Sequence, residues 1–198
     1  MKKSTIITLV VIAVVVLGCY SWVKGGYNTM TVSRENVSSQ WSNVENQYQR
    51  RADLIPNLVN VVKGYAAHES ETLTQVVEAR AKATQVQVNF DNVNEQTLAR
   101  YSQAQGELSS ALSRLMAISE AYPDLKANEN FRDLQVQLEG TENRIAVERR
   151  NFNEAVRVYN TSIKMFPRNM LASMFGFDQE SYFEANEGSE VAPTVSFE

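Results

Sequence analysis

The apolar residues of this chain are distributed in two ways. From Thr5 to Val23 they form one run of nineteen residues without a charge, TIITLVVIAVVVLGCYSWV, with Lys2 and Lys3 before it and Lys24 after it. From Met30 they recur at helical intervals instead: Met30, Val37, Trp41, Val44, Tyr48, Ala52 and Ile55, with Ser38, Ser39, Ser42, Asn43 and Asn46 off that line. Steps of three, four and seven place one apolar stripe along a helix. This predicts a first bundle helix over about 28–52. A second stripe, Leu58, Val62, Tyr65, Leu73, Val76, Ala79, Ala83 and Val86, predicts a helix to about 88. A third carries Leu98, Tyr101, Leu108, Leu112, Leu115 and Ile118, and a fourth runs from Phe131 through Leu138, Ile145, Phe152, Tyr159 and Ile163 to Phe166 at a period near 3.5, which implies coiled-coil-like packing.

The punctuation sets the expected boundaries. Gly25-Gly26 reads as a flexible joint. Pro56 predicts a break or sharp kink between helices one and two, with Asp53 as cap. Asn92 with Glu95 resembles a capping box for helix three. Pro123 stops helix three, 123–127 reads as a loop, and Asn128-Glu129 starts helix four, which Pro167 ends. Met170 to Phe177 predicts one short helix with Gly176 as its C-terminal cap. The expected fold is all-α: a transmembrane helix, then an antiparallel up-and-down four-helix bundle of long helices, slender and without a wide interior cavity. The organisation is an anchor over 1–26, a bundle over 27–178, and an acidic tail over 179–198. Tyr182 and Phe183 pin part of that tail, and its last ten residues are mobile.

As a helix, the uncharged run is about 28 Å long at ~1.5 Å per residue, close to the ~30 Å hydrocarbon core of a bilayer. Tyr20 and Trp22 fall where an interfacial aromatic belt sits. A retained single-pass anchor is one reading. A second is a lipoprotein signal, because Val16-Leu17-Gly18-Cys19 resembles a lipobox with Cys19 as the acylated residue. A third is a cleaved secretory signal, for which no good small-x-small site is present. Lys2, Lys3 and the amino terminus precede the span and Lys24 and Arg34 follow it, which tips the bundle towards the exported side.

Composition narrows the chemistry. Over 198 residues there are only eight glycines and four prolines, which suits long helices. The net charge of −4 argues against nucleic acid as a partner. One cysteine and one histidine exclude an internal disulfide and the usual multi-histidine or multi-cysteine metal sites. The remaining metal candidate is His68 with Glu69 and Glu71, since His68 and Glu71 share a face if both are helical. A di-iron bundle needs two Glu-x-x-His pairs, and position 65 is tyrosine. His68 therefore reads first as an ordinary polar residue. Arg50-Arg51 and Arg149-Arg150 read as partners of carboxylates such as Asp53, Glu142 or Glu148, with anion or headgroup contact the alternative. Asn36-Val37-Ser38 and Asn160-Thr161-Ser162 match the glycosylation pattern but lie in mid-helix. The small residues Ser102, Ala104, Gly106, Ser109, Ser110 and Ala111 suit tight internal packing or lateral association of bundles. No catalytic residue, cofactor or small-molecule substrate is evident.

The stretch from Gln40 to Val59, QWSNVENQYQRRADLIPNLV, resembles the LemA family of bacterial membrane proteins. So do Val62 to Glu69, Glu78 to Ala81, Leu138 to Ile145, Tyr159-Asn160, Phe166-Pro167 and Gly176-Phe177. The resemblance implies a single amino-terminal membrane helix in a bacterial inner membrane and a bundle of long antiparallel helices. It brings no enzymatic activity and no site residues. It also implies a cytoplasmic bundle, opposite to the charge count. The functional expectation is a membrane-anchored scaffold or adaptor working by protein association, with a homo-oligomer as one form. The alternatives are an acylated envelope lipoprotein and a metal-binding or enzymatic bundle using His68.

Overall fold

The computed structural model describes residues 3–184, and among them every regular element is helical. The elements are α1 (Lys3–Tyr65), α2 (Ser70–Gln85), a 3-10 turn (Phe90–Asn92), α3 (Glu95–Ser119), α4 (Pro123–Ala127), α5 (Glu129–Lys164) and α6 (Arg168–Phe175). The final ten residues, expected to be mobile, lie outside the described residues. The chain divides into two compact units, Met1–Asn43 with Arg150–Glu180, and Val44–Arg149 with Ser181–Glu198.

The expected interruptions at Gly25-Gly26 and Pro56 do not occur: both lie inside α1. Pro56 has no N–H, so the carbonyl of Ala52 loses its helical donor. Arg80 on α2 replaces it, its Nε donating to the Ala52 oxygen at 2.7 Å. Ile55 and Leu58, on either side of the proline, are fully buried, and the helix continues through this turn. Asp53 is consequently not a cap but a mid-helix acceptor for Gln49 Nε2 at 2.8 Å. The break comes ten residues later, over 66–69, after the poor helix former Gly64 and with Lys63 complementing the carbonyl end of the dipole. Tyr122 clasps this turn by donating to Glu69 Oε1 at 3.0 Å, and Asn128 Nδ2 donates to Tyr65 Oη at 2.9 Å.

Other boundaries differ by smaller amounts. The capping box of α3 is Asn94 with Thr97, not Asn92 with Glu95: Thr97 N donates to Asn94 Oδ1 and Asn94 N to Thr97 Oγ1, both at 2.9 Å. Residues 123–127, expected as a loop, form α4, which Pro123 opens from a position where a missing N–H costs nothing. Asn128 caps α5 as expected, its Oδ1 accepting from Phe131 N at 3.0 Å. Gly176 ends α6 in the left-handed region at φ 72°, which a side chain would strain.

Within the unit 44–149, α2 and α3 run antiparallel. Gln75 meets Arg114 and, further along α2, Lys82 meets Glu107 further back on α3. Tyr48 and Arg51 meet Tyr101 and Gln105 in ascending order, so α1 and α3 run parallel. Tyr65 meets Asn128 while Arg51 meets Glu142, so α5 opposes α1. The core between these helices contains Ile55, Leu58, Val62, Val76, Leu108, Leu115 and Phe131. In the unit 1–43 with 150–180, Trp41 and Phe152 pack edge to face with centroids 5.6 Å apart, and Met30, Val37, Val156 and Tyr159 are fully buried.

Candidate functional site

Arg51 is the largest charged side chain in the interior, 1% exposed. It arrives there because it follows Tyr48 by three positions and precedes Ala52 and Ile55 on the stripe, so the helix itself points it inward. Its Nη1 donates to Ser109 Oγ at 2.8 Å and to Glu142 Oε1 at 2.6 Å. Its Nη2 donates to the backbone oxygen of Gln105 at 3.2 Å and also to Gln105 Oε1. The guanidinium carbon lies 5.2 Å from the centroid of the Tyr48 ring, which in turn stacks edge-on against Tyr101 at 5.2 Å. Three helices thus converge on one fork: α1 supplies the cation, α3 a hydroxyl and an amide, and α5 the counter-ion. Ser109 and Gln105 are four apart on α3 and so present together.

Burial dominates the electrostatics of the two phenols beside Arg51. Burial pushes the phenol of Tyr48 up, against the lowering influence of Arg149 and Arg51. Burial, then the neighbouring Tyr48, pushes Tyr101 up as well. Both stay neutral at physiological pH. Nη1 and Nη2 are turned on protein acceptors, while the buried Nε has no hydrogen-bond partner among the described residues, and a groove of about 420 Å³ lined by Tyr48, Gln105, Ser109, Glu142 and Arg149 adjoins the guanidinium. The arrangement fixes the register of three helices. A buried charge paired with a half-exposed carboxylate is costly to break, about 3–5 kcal/mol when one partner is removed.

The other sequence candidates separate. Of the two expected carboxylate partners nearest Arg51, Glu142 takes the role and Asp53 does not. Arg50 is exposed. Among the described residues, the Arg149 guanidinium sits 4.7 Å from the Phe183 ring centroid, and Nη2 donates to the Glu184 backbone oxygen at 3.0 Å. Phe183 is buried and pins the tail as expected, whereas Tyr182 is 43% exposed. His68 is exposed in the turn between α1 and α2, off any helix, so the shared face with Glu71 does not form and Glu69 is engaged by Tyr122. Among the described residues no three of His, Cys, Asp and Glu come together as a metal cluster. Cys19 is exposed on the apolar stretch of α1. Val136 and Val158 are exposed on α5.

Asn160, which the sequence offers in a glycosylation pattern and in the Tyr159-Asn160 pair of the family resemblance, is a clasp. It is buried, its Nδ2 donates to Glu180 O at 2.8 Å, and its Oδ1 accepts from Glu180 N at 3.0 Å. Glu180 also takes Arg34 Nε at 3.0 Å, and Tyr159 Oη donates to Asp178 O at 2.8 Å. An amide satisfying a backbone donor and acceptor at once holds the irregular segment after α6 by its main chain. The sequence signal was available, since Tyr159 and Asn160 interrupt the apolar stripe with polar groups at a buried position.

Residues 40–197 match the LemA family. The chain is 31% identical over 176 residues to Magnetosome protein MamQ 2 of Paramagnetospirillum magneticum, covering 80% of this chain and 64% of that protein. It is 28% identical over 174 residues to Magnetosome protein MamQ of Magnetospirillum gryphiswaldense, covering 79% and 64%. It is 23% identical over 163 residues to Protein LemA of Metamycoplasma hominis, covering 82% and 71%. The chain therefore spans a little under two thirds of the length of the MamQ relatives.

Proposed function

As the chain belongs to the LemA family, we propose that it is a membrane-anchored four-helix bundle that serves as a scaffold or adaptor, binding protein partners or further copies of itself, and that it catalyses no reaction. The observation that carries this reading is the division of α1. Its apolar window, with mean hydropathy 2.6, has no side chain buried inside the protein, while the same helix further on is packed into the two units. An unburied apolar run of that length needs a lipid solvent. The polar interior supports the non-catalytic part: Nη1 and Nη2 of Arg51 and both side-chain polar atoms of Asn160 are engaged by neighbouring protein groups. The relatives' names as magnetosome proteins assign those proteins to a cellular structure and not to a reaction, which fits the same reading.

A photo-crosslinker placed at Gln103, Val136 or Tyr182 in intact cells should give discrete linked species, and only unlinked monomer from all three would overturn the scaffold. Protease accessibility in sealed inner-membrane vesicles reports the side of the bundle, exported by the charge count and cytoplasmic in the alternative. A second reading rests on the exposure of Cys19: an acylated envelope lipoprotein with the same bundle. Mass spectrometry of the mature amino terminus separates the two, because a retained Lys2 means a span and an acylated Cys19 means a lipoprotein.

A further inference from the structure

Within the unit 1–43 with 150–180, α6 packs against α1 just beyond the apolar run. A Cβ placed on Gly26 would meet Leu171 Cδ1, the end of a flexible side chain, at 2.7 Å, so Leu171 lies close against α1 at this glycine. Next to it, the Tyr27 ring stands edge-on to Phe175 and Phe177, with centroids 5.1 and 5.4 Å away. Gly26 and Tyr27 follow Val23 by three and four residues, which is about 4.5–6 Å along a helix at ~1.5 Å per residue. The headgroup layer on each side of a bilayer is roughly 5–7 Å deep. A bilayer that holds the apolar run to Val23 therefore places α6 at headgroup level.

At that level the protein exposes large apolar side chains. Leu171 and Ala172 are buried on the inner side of α6, yet Met170 and Met174, four apart on the same helix, are 63% and 65% exposed. In the turn before it, Met165 is 57% and Phe166 80% exposed. Lys164 and Arg168 flank this group and Lys24 stands at the end of the run, against the single exposed carboxylate of Asp178 after Phe177, so basic charges outnumber acidic ones here. Unbranched and aromatic side chains with basic neighbours are the chemistry that enters the headgroup–acyl boundary and attracts anionic lipid.

We propose that Met165, Phe166, Met170 and Met174 form a second membrane contact, seating α6 in the headgroup–acyl boundary beside the point where α1 leaves the bilayer. A lone span is free to rotate and tilt, and a second contact a few ångströms off its axis fixes both. The occupant is the lipid surface itself, because the patch is continuous with the anchor's exit point and its charges suit anionic headgroups. The inference rests on the membrane-anchored reading, and the test separates the two.

The full chain with Cys19→Ala is reconstituted in phosphatidylcholine vesicles containing phosphatidylglycerol. A nitroxide is attached in turn at Phe166→Cys, Met170→Cys and Met174→Cys, at Val14→Cys in the span, and at Val158→Cys, exposed on α5. Collision with oxygen is compared with collision with a water-soluble nickel chelate. The expected result is an oxygen-dominated ratio at 14, an intermediate but oxygen-favoured ratio at 166, 170 and 174, and reversal of the ratio at 158. Ratios at 166, 170 and 174 equal to that at 158 overturn the second contact while leaving the anchor intact. Low accessibility to both reagents at those positions signals a protein cover and also overturns it. A nickel-dominated ratio at 14 overturns the anchor and the contact together.

Discussion

The two apolar stretches of α1 differ in arrangement and in fate. Between Ile6 and Leu17 the large apolar side chains follow one another without periodicity and are all about half or more exposed. Between Met30 and Val62 they recur at three- and four-residue steps, and Met30, Val37, Val44, Ile55, Leu58 and Val62 are completely covered. On the membrane-anchored reading proposed above, one uninterrupted helix passes between two solvents. Where apolar residues surround the helix, no protein face can cover them and lipid is required. Where they occupy one stripe, neighbouring helices suffice and the polar face stays in water. The presence of a charge on the second stripe sharpens the contrast: Arg51 is tolerated there because α3 and α5 bring acceptors to it, which a lipid-facing position lacks.

The largest effect should come from that charge. Arg51→Ala is expected to destabilise the detergent-solubilised protein by about 3–5 kcal/mol, since it takes the donor from the Ser109 hydroxyl and the buried Gln105 amide and empties the space of a large buried side chain. Arg51→Lys should recover only part of this, because a point charge cannot reach Ser109, Glu142 and Gln105 as a planar fork does. An unchanged urea midpoint for Arg51→Ala would show that the fork does not hold the three helices. The same truncation in the two stretches compares them directly. Leu58→Ala, in the covered stripe, should cost about 2–5 kcal/mol. Leu17→Ala, in the uncovered run, should stay within about 0.5 kcal/mol in the same denaturation; equal losses would contradict the two-solvent account.

Asn160→Ala tests the other buried polar group and should cost about 1–3 kcal/mol, because Glu180 N and O lose their partners. Faster hydrogen exchange at the Glu180 amide, with exchange around Leu58 unchanged, is the expected signature. The smallest effect at neutral pH is that of the buried phenols. Tyr159 is pushed up to about 12, first by burial and then by the Glu180 carboxylate, from an ordinary value of 10.0. Its folded-state value is raised, so deprotonation favours the unfolded chain. The stability it contributes is complete below pH 10 and is lost as pH rises towards 12, with Tyr48 and Tyr101 shifted in the same direction. Melting temperature should be flat from pH 7 to 9 and fall above 10, tracking phenolate absorbance; a fall beginning near pH 8 would assign the loss to other groups.

Much of the architecture was legible because it is a matter of period. The uncharged run, the stripes of Met30 to Ile55 and of Phe131 to Ile163, Asn128 as a cap and Gly176 as a left-handed terminator each depend on residues within a turn or two of one another. Pro56 was misleading for the complementary reason. A proline orphans one carbonyl, and whether the helix survives depends on whether another donor is at hand, which here is Arg80, twenty-eight residues away from Ala52. His68 failed as a helical ligand because the break fell at 66–69 instead. Gly25-Gly26 looked like a joint, and Gly26 is the place where α6 approaches α1.

The sequence by itself determined which residues want lipid, which want protein cover, and that helices carry both, because hydrophobic periodicity and helix caps act over short distances along the chain. The tertiary structure alone decided that α1 continues through its glycines and proline, that α3 and α5 bring acceptors to Arg51, and that Asn160 holds Glu180. Those outcomes depend on groups distant in sequence meeting within hydrogen-bonding reach. A buried polar group is stable only where such partners arrive.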